Sequence, residues 1–124
     1  MLRLLIAIPV FLLLSAEKCN QKKDKAPVYK ARLEIKAMCL NYTIRLLEGN
    51  IDTSKIVANW TDESTKKSYT NVFALKNPCI FPASIKEGEE FYFTIDDSPV
   101  EPCAVCMAYY PTPEKKLPIK VVNK

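Results

Sequence analysis

From residue 29 the chain alternates apolar and polar side chains. Ala31, Leu33, Ile35, Ala37 and Cys39 fall on one side, with Lys30, Arg32, Glu34 and Lys36 on the other. A period of two is the mark of a half-buried β-strand, because successive side chains point to opposite faces. After Cys39 the phase flips. Leu40, Tyr42, Ile44 and Leu46 become the apolar set, against Asn41, Thr43 and Arg45. A one-residue slip inside a continuous strand pattern predicts a β-bulge or sharp bend near residues 38–41, in one long strand serving two sides of a small barrel. Two separate strands also fit the alternation, although no turn-forming residue divides them. Glu48-Gly49-Asn50 then supplies a turn.

Further strands are expected at residues 55–60, 68–75, 90–96, 103–110 and 117–122, punctuated by Asn77-Pro78, Lys86-Glu87-Gly88-Glu89, Asp97-Ser98-Pro99 and Pro111-Thr112-Pro113. Helical spacing is weak throughout. The expected fold class is therefore all-β with five to seven strands. The long bent first strand favours a small antiparallel β-barrel of OB-like type, with a β-sandwich as the alternative.

Composition removes many activities. The chain has 124 residues, enough for one domain. It has no histidine, so Ser-His-Asp, Cys-His and His-ligated metal chemistry are absent, and its two glycines, Gly49 and Gly88, are too far apart to form a phosphate-cradling loop. The net charge is +4, but from residue 28 onward 13 basic side chains face 12 acidic ones. That balance lacks the dense positive footprint of nucleic-acid binding.

The N-terminus reads as an export signal over residues 1–16. Arg3 precedes an apolar run from Leu4 to Leu14, closed by Ser15 and Ala16. The run is far shorter than the roughly 20 residues of a membrane span. Residues 17–27 form a charged, flexible tether, and residues 28–124 the β domain. Cys19 behind the signal and the polar stretch after it resemble the N-termini of bacterial lipoproteins, which implies acylation of Cys19 and a membrane tether. Glu17 and Lys18 stand where the lipoprotein motif has small residues, and cleavage after Ala16 would instead release a soluble protein. The expected location is outside the cytoplasm: secreted, periplasmic or lipid-anchored.

With Cys19 set aside on the tether, Cys39, Cys79, Cys103 and Cys106 make an even four for disulfides in an oxidising compartment. On a strand, residues 103 and 106 face opposite sides, which favours two longer-range bridges over a 103–106 bridge and leaves both crossed arrangements open. The competing reading of Cys103-Ala104-Val105-Cys106 is thiol–disulfide exchange, but the helix N-terminus that usually activates such a pair is missing. A four-cysteine zinc site draws on two close pairs, and this chain has one.

Tyr29-Lys30-Ala31-Arg32, then 42–49 (Tyr-Thr-Ile-Arg-Leu-Leu-Glu-Gly), and Cys79 followed by 85–93 (Ile-Lys-Glu-Gly-Glu-Glu-Phe-Tyr-Phe) resemble the opening and later strands of netrin-like domains. The resemblance implies an OB-type barrel. Some members inhibit metalloproteases through a Cys-x-Cys at the mature N-terminus; here Cys19 stands alone, so none of those residues carries over.

Other signals are weaker. Asp96-Asp97 and Glu89-Glu90 are neighbouring acids that point to opposite strand faces, and they read as turn and strand-end charges rather than a hydrolase pair. Asn41-Tyr42-Thr43 and Asn59-Trp60-Thr61 match the glycosylation sequon. Trp60, Tyr109 and Tyr110, with Tyr69 and Tyr92, are candidates for an aromatic binding face. The expected function is a non-catalytic, exported module that uses no cofactor and binds a ligand, glycan or partner protein. The alternatives are a Cys103/Cys106 oxidoreductase and a protease inhibitor on a netrin-like scaffold. An intact mass of the native protein, alkylated with and without reduction, is expected to show cleavage after Ala16 or an acylated Cys19, with four cysteines unreactive until reduced. Ready labelling of Cys103 and Cys106 before reduction would bring redox or metal chemistry to the front.

Overall fold

The computed structural model describes residues 26–124, so the expected export signal, most of the expected tether and Cys19 lie outside the described residues. Seven strands follow one another: β1 (Tyr29–Lys36), β2 (Tyr42–Glu48), β3 (Val57–Thr61), β4 (Ser68–Leu75), β5 (Glu90–Ile95), β6 (Lys116–Leu117) and β7 (Ile119–Val122). The ladder runs β3-β4-β2-β1-β5-β7, and β6 returns to pair with β4. Every pairing is antiparallel except β4 with β6. The all-β class expected from the alternation is what forms: a curled, barrel-like sheet that does not close by a continuous ladder. None of the described residues forms a helix long and apolar enough to cross a membrane.

The single bent strand expected over residues 29–47 is instead two strands, paired as a hairpin from Lys30↔Glu48 to Lys36↔Tyr42. Between them the chain reverses at Met38–Leu40, where Cys39 and Leu40 both have φ of 59° and the Asn41 N–H donates to the Met38 carbonyl at 3.3 Å. Two successive residues at positive φ match the twist of a tight hairpin, a place normally taken by Asn-Gly. Side chains with a Cβ resist this region by roughly 1–2 kcal/mol each, so the turn carries none of the usual sequence marks. The phase flip was real; its cause is a chain reversal rather than a bulge.

β1 buries Tyr29, Ala31, Leu33 and Ile35, as the alternation requires. Inside the curl Tyr29, Ala31 and Leu33 meet Ile44, Phe73, Phe91, Phe93, Leu117 and Ile119. A chain of rings runs through this core: Tyr29 to Phe93 at 5.3 Å, Phe93 to Phe73 at 5.7 Å, Phe91 to Phe81 at 5.3 Å and Phe81 to Tyr42 at 5.6 Å between centroids. Offset and edge-on rings at such distances add attraction beyond their buried area. Gly49 sits at φ 112°, and a Cβ there would lie 2.4 Å from the Tyr29 ring, so only glycine lets Tyr29 enter the core. β1's polar side carries an ion-pair row: Glu90 meets Arg32 at 3.0 Å and Lys30 at 3.4 Å. The Arg32 hydrogen bond, followed by that of Lys30, holds the Glu90 carboxyl below its ordinary range.

Residues 117–122, expected as one strand, are divided by Pro118, which has no N–H to give to a ladder. Around that break the chain changes partner. Leu117 lies beside Leu75 of β4, while Ile119 lies beside Ile95 of β5. Asn77, just past β4, spans the gap. Its Nδ2 donates to the Ile119 carbonyl at 2.9 Å, and its Oδ1 accepts from the Ile119 N–H at 3.1 Å. The buried amide thus plays the part of a neighbouring strand and holds the last segment against β4. Asn77→Ala is expected to lower stability by roughly 1–3 kcal/mol for each Ile119 group left buried and unpaired, a midpoint fall of at least about 5 °C in thermal melts. The exposed neighbour Lys76→Ala should leave the midpoint nearly unchanged.

Candidate functional site

After β5 the chain crosses the outside of the sheet as a strap. Residues 99–113 contain no helix, strand, turn or bend, so the strand expected at 103–110 is not formed. Three prolines account for much of this. Pro102, Pro111 and Pro113 remove N–H donors at both ends of the run, and a ladder cannot propagate through them. The strap is fixed instead by side chains. Cys103 is bridged to Cys79, with Cα atoms 6.1 Å apart, and Cys106 to Cys39, at 4.9 Å. The pairing is one of the two crossed arrangements left open by the sequence. Two such bridges point to an oxidising, exported environment. Neither joins Cys103 to Cys106.

Two polar contacts complete the attachment. Asn41 Nδ2 donates to the Ala108 carbonyl at 3.1 Å, and the Tyr110 hydroxyl donates to Asp62 Oδ2 at 2.6 Å. Asp62 is fully buried. Burial alone would push its carboxyl upward. The Tyr110 hydroxyl and the N–H groups of Ser64 and Thr65 favour the charged form and win, holding it below the ordinary aspartate value. The same Asp62 contact raises Tyr110. Asp62 also organises its own loop, since its N–H donates to the Lys67 carbonyl and its carbonyl accepts from the Lys66 N–H. The sequence showed 61–65 only as a polar loop. The aspartate followed two residues later by serine, which recurs at Asp52-Ser54 and Asp96-Ser98, was the available signal.

Thr43, Val72 and Ala74, which by alternation oppose the core residues Ile44 and Phe73, are buried as well. Ala74 shares a small cavity of about 120 Å³ with Asn41, Val105 and Thr112, which places the strap over that face. Two further hollows lie along the strap. One of about 270 Å³ is lined by Asn77, Ile80, Asp96, Val100 and the Cys79–Cys103 bridge; another of about 300 Å³ includes Leu75, Pro78, Pro102 and Val105.

Around the bridges the surface is apolar. Met107 is 97% exposed, Tyr109 82%, Met38 62%, Ile80 60% and Val105 45%. These residues flank the four bridged cysteines in sequence. Among the described residues, Val28 is the one strongly exposed large hydrophobic away from the strap and its bridged partners. Of the aromatic residues picked from the sequence, Tyr109 belongs to this surface. Tyr110 is engaged with Asp62. Trp60 is half-buried against Tyr69 across the β3–β4 pair, at 5.9 Å between rings, and Tyr92 sits beneath Lys124. Met38, Ile80 and Met107 went unremarked because nothing in a sequence distinguishes an apolar side chain left in water from one in a core. Among the described residues no cluster of three or more His, Cys, Asp and Glu is arranged to hold a metal. Comparison with family profiles, curated proteins and solved structures gave no match.

Because the folded carboxyl of Asp62 lies below its unfolded value of about 3.9, its contribution is fully present above that pH and is lost as pH falls through the folded value. Asp62→Ala, which leaves the Tyr110 hydroxyl and loop N–H groups without a partner, should cost roughly 1–3 kcal/mol at neutral pH. In denaturant melts taken at several pH values, the gap between wild type and variant should narrow below about pH 4.

Proposed function

We propose that this protein is an exported, non-catalytic β module that binds a partner protein through its bridged, strap-covered surface. The observation that carries the reading is the exposed apolar rim around the two disulfides. A small secreted domain gains nothing in stability from a Met107 almost wholly in water, and contiguous exposed apolar side chains mark interaction surfaces. The bridges restrict the strap before any partner arrives, which lowers the entropy lost on binding. Large aromatic and methionine side chains are also the types enriched at the centres of protein interfaces.

A partner protein is favoured over a glycan because the exposed rings do not form a platform: Tyr109 stands free, while Trp60 and Tyr110 are engaged elsewhere. The oxidoreductase reading is disfavoured by the separate bridging of Cys103 and Cys106. The signal over residues 1–16 would export the domain, and acylation of Cys19 would keep it at a membrane surface.

The test compares wild type with Met107→Asp/Tyr109→Asp, each immobilised and exposed to the extracellular and envelope fractions of the producing cells. Both should melt alike, because the two side chains are in solvent. The wild type should retain a protein that the variant loses by roughly tenfold or more, as expected when central anchors are removed. Equal retention by both forms, or retention of glycans alone, would overturn the reading.

A further inference from the structure

Two asparagines head a glycosylation sequon, and the fold treats them differently. Asn41 is committed. Its Nδ2 has two hydrogens to give, and it donates to the Met38 carbonyl at 2.9 Å and to the Ala108 carbonyl at 3.1 Å. A sugar bonded to that nitrogen takes the place of one hydrogen, so one of the two contacts is lost. Thr43, which completes this sequon, is fully buried between β1 and β4. Asn59 and Thr61 are both exposed on β3. The Thr61 hydroxyl shares a hydrogen bond with that of Ser68 at 2.9 Å, and among the described residues none bonds to the Asn59 amide side chain. β3 is also the end of the ladder. β4 pairs with one side of it and, among the described residues, no strand pairs with the other. Its sequence, Val57-Ala58-Asn59-Trp60-Thr61, has no charge and no proline, and its register with β4 has no bulge. An edge strand without any of these devices is open to pairing with another chain.

We propose that Asn59 is an N-glycosylation site, that Asn41 is not, and that the glycan shields the open edge of β3. The donor is an oligosaccharide carried on a lipid pyrophosphate in the exporting compartment. Asn59 Nδ2 forms a bond to C1 of the first sugar, and the bond from C1 to the pyrophosphate oxygen breaks. The lipid pyrophosphate leaves with the proton that the amide gives up. The attached group is bulky and strongly hydrated. Asn59 is the central residue of β3, so the glycan stands beside the middle of the open edge. This inference rests on export, which the two bridges support, and is independent of the strap's part in binding.

The test takes the mature protein from the producing cells and digests it with a peptide N-glycosidase in heavy-oxygen water. That leaves a labelled aspartate wherever an asparagine carried a glycan. The label should appear at position 59 and not at position 41. Asn59→Gln and Thr61→Ala should each abolish the glycan, whereas Asn41→Gln should retain it. In sedimentation the glycoprotein should stay monomeric, while Asn59→Gln should self-associate at least about tenfold more tightly. Adding Ala58→Lys to that variant, which puts a charge at an exposed position of the edge strand, should restore the monomer. A label at position 41, or none at position 59, would overturn the site. Self-association unchanged by loss of the glycan would overturn the shielding of the edge while leaving the site.

Discussion

The sheet depends on one amide. Pro118 interrupts the final segment just where that segment must leave β4 and join β5, and a proline there leaves main-chain groups without a ladder partner. Asn77 fills the gap because its side chain presents a donor and an acceptor in the same arrangement as a peptide group, and both reach Ile119. With that contact made, Leu117 and Ile119 lie in the core beside Leu75 and Ile95, and the aromatic chain from Tyr29 to Phe81 is enclosed. The break has a use. Hinged at Pro118, the segment pairs with β4 before the proline and with β5 after it, which helps the sheet to curl.

The strap stands on this frame in a different way. It joins no ladder and has little buried surface of its own, so its order comes from discrete attachments: two disulfides, one amide contact to Ala108, and the Tyr110–Asp62 pair. These four attachments land on three parts of the sheet, the Cys39 bridge and the Asn41 contact sharing the β1–β2 connection. Cys39 lies in the β1–β2 turn, Cys79 follows β4, and Asp62 lies between β3 and β4. Such bridges stabilise mainly by restricting the unfolded chain, typically by about 2–4 kcal/mol, and here they also decide what stays outside. Beside the Cys106 bridge, Met107 and Tyr109 stand in solvent. The strain of Cys39 and Leu40 at positive φ is carried at the same place, where the turn meets the bridge.

Most of the sheet was legible because a strand that buries one face leaves a two-residue rhythm. β4 and β5 were placed within a residue or so of their bounds on that basis, and so was the start of β1. The β1–β2 reversal was misread because its turn uses Cys39 and Leu40, neither of which favours positive φ; a covalent bridge from Cys106 fixes the turn in place of local preference. The run 103–110 was misread as a strand because its apolar alternation is genuine, while the partner it would need is absent from the sheet. Of the apolar residues left in water around the bridges, Tyr109 was among the aromatic candidates. Met107 was not, because methionine is as ordinary in a core as on an interface.

By itself, then, the sequence determined the all-β class and the exclusion of histidine-based chemistry, since each follows from local periodicity or from the residues present. The tertiary structure decided which cysteines join, where the sheet curls and which apolar side chains remain in water. Those depend on residues far apart in the chain: Cys39 with Cys106, Asn77 with Ile119, and Asp62 with Tyr110. Local pattern reports which face of an element is apolar. It carries no information on whether another part of the chain will come to cover that face, and for Met107 and Tyr109 none of the described residues does.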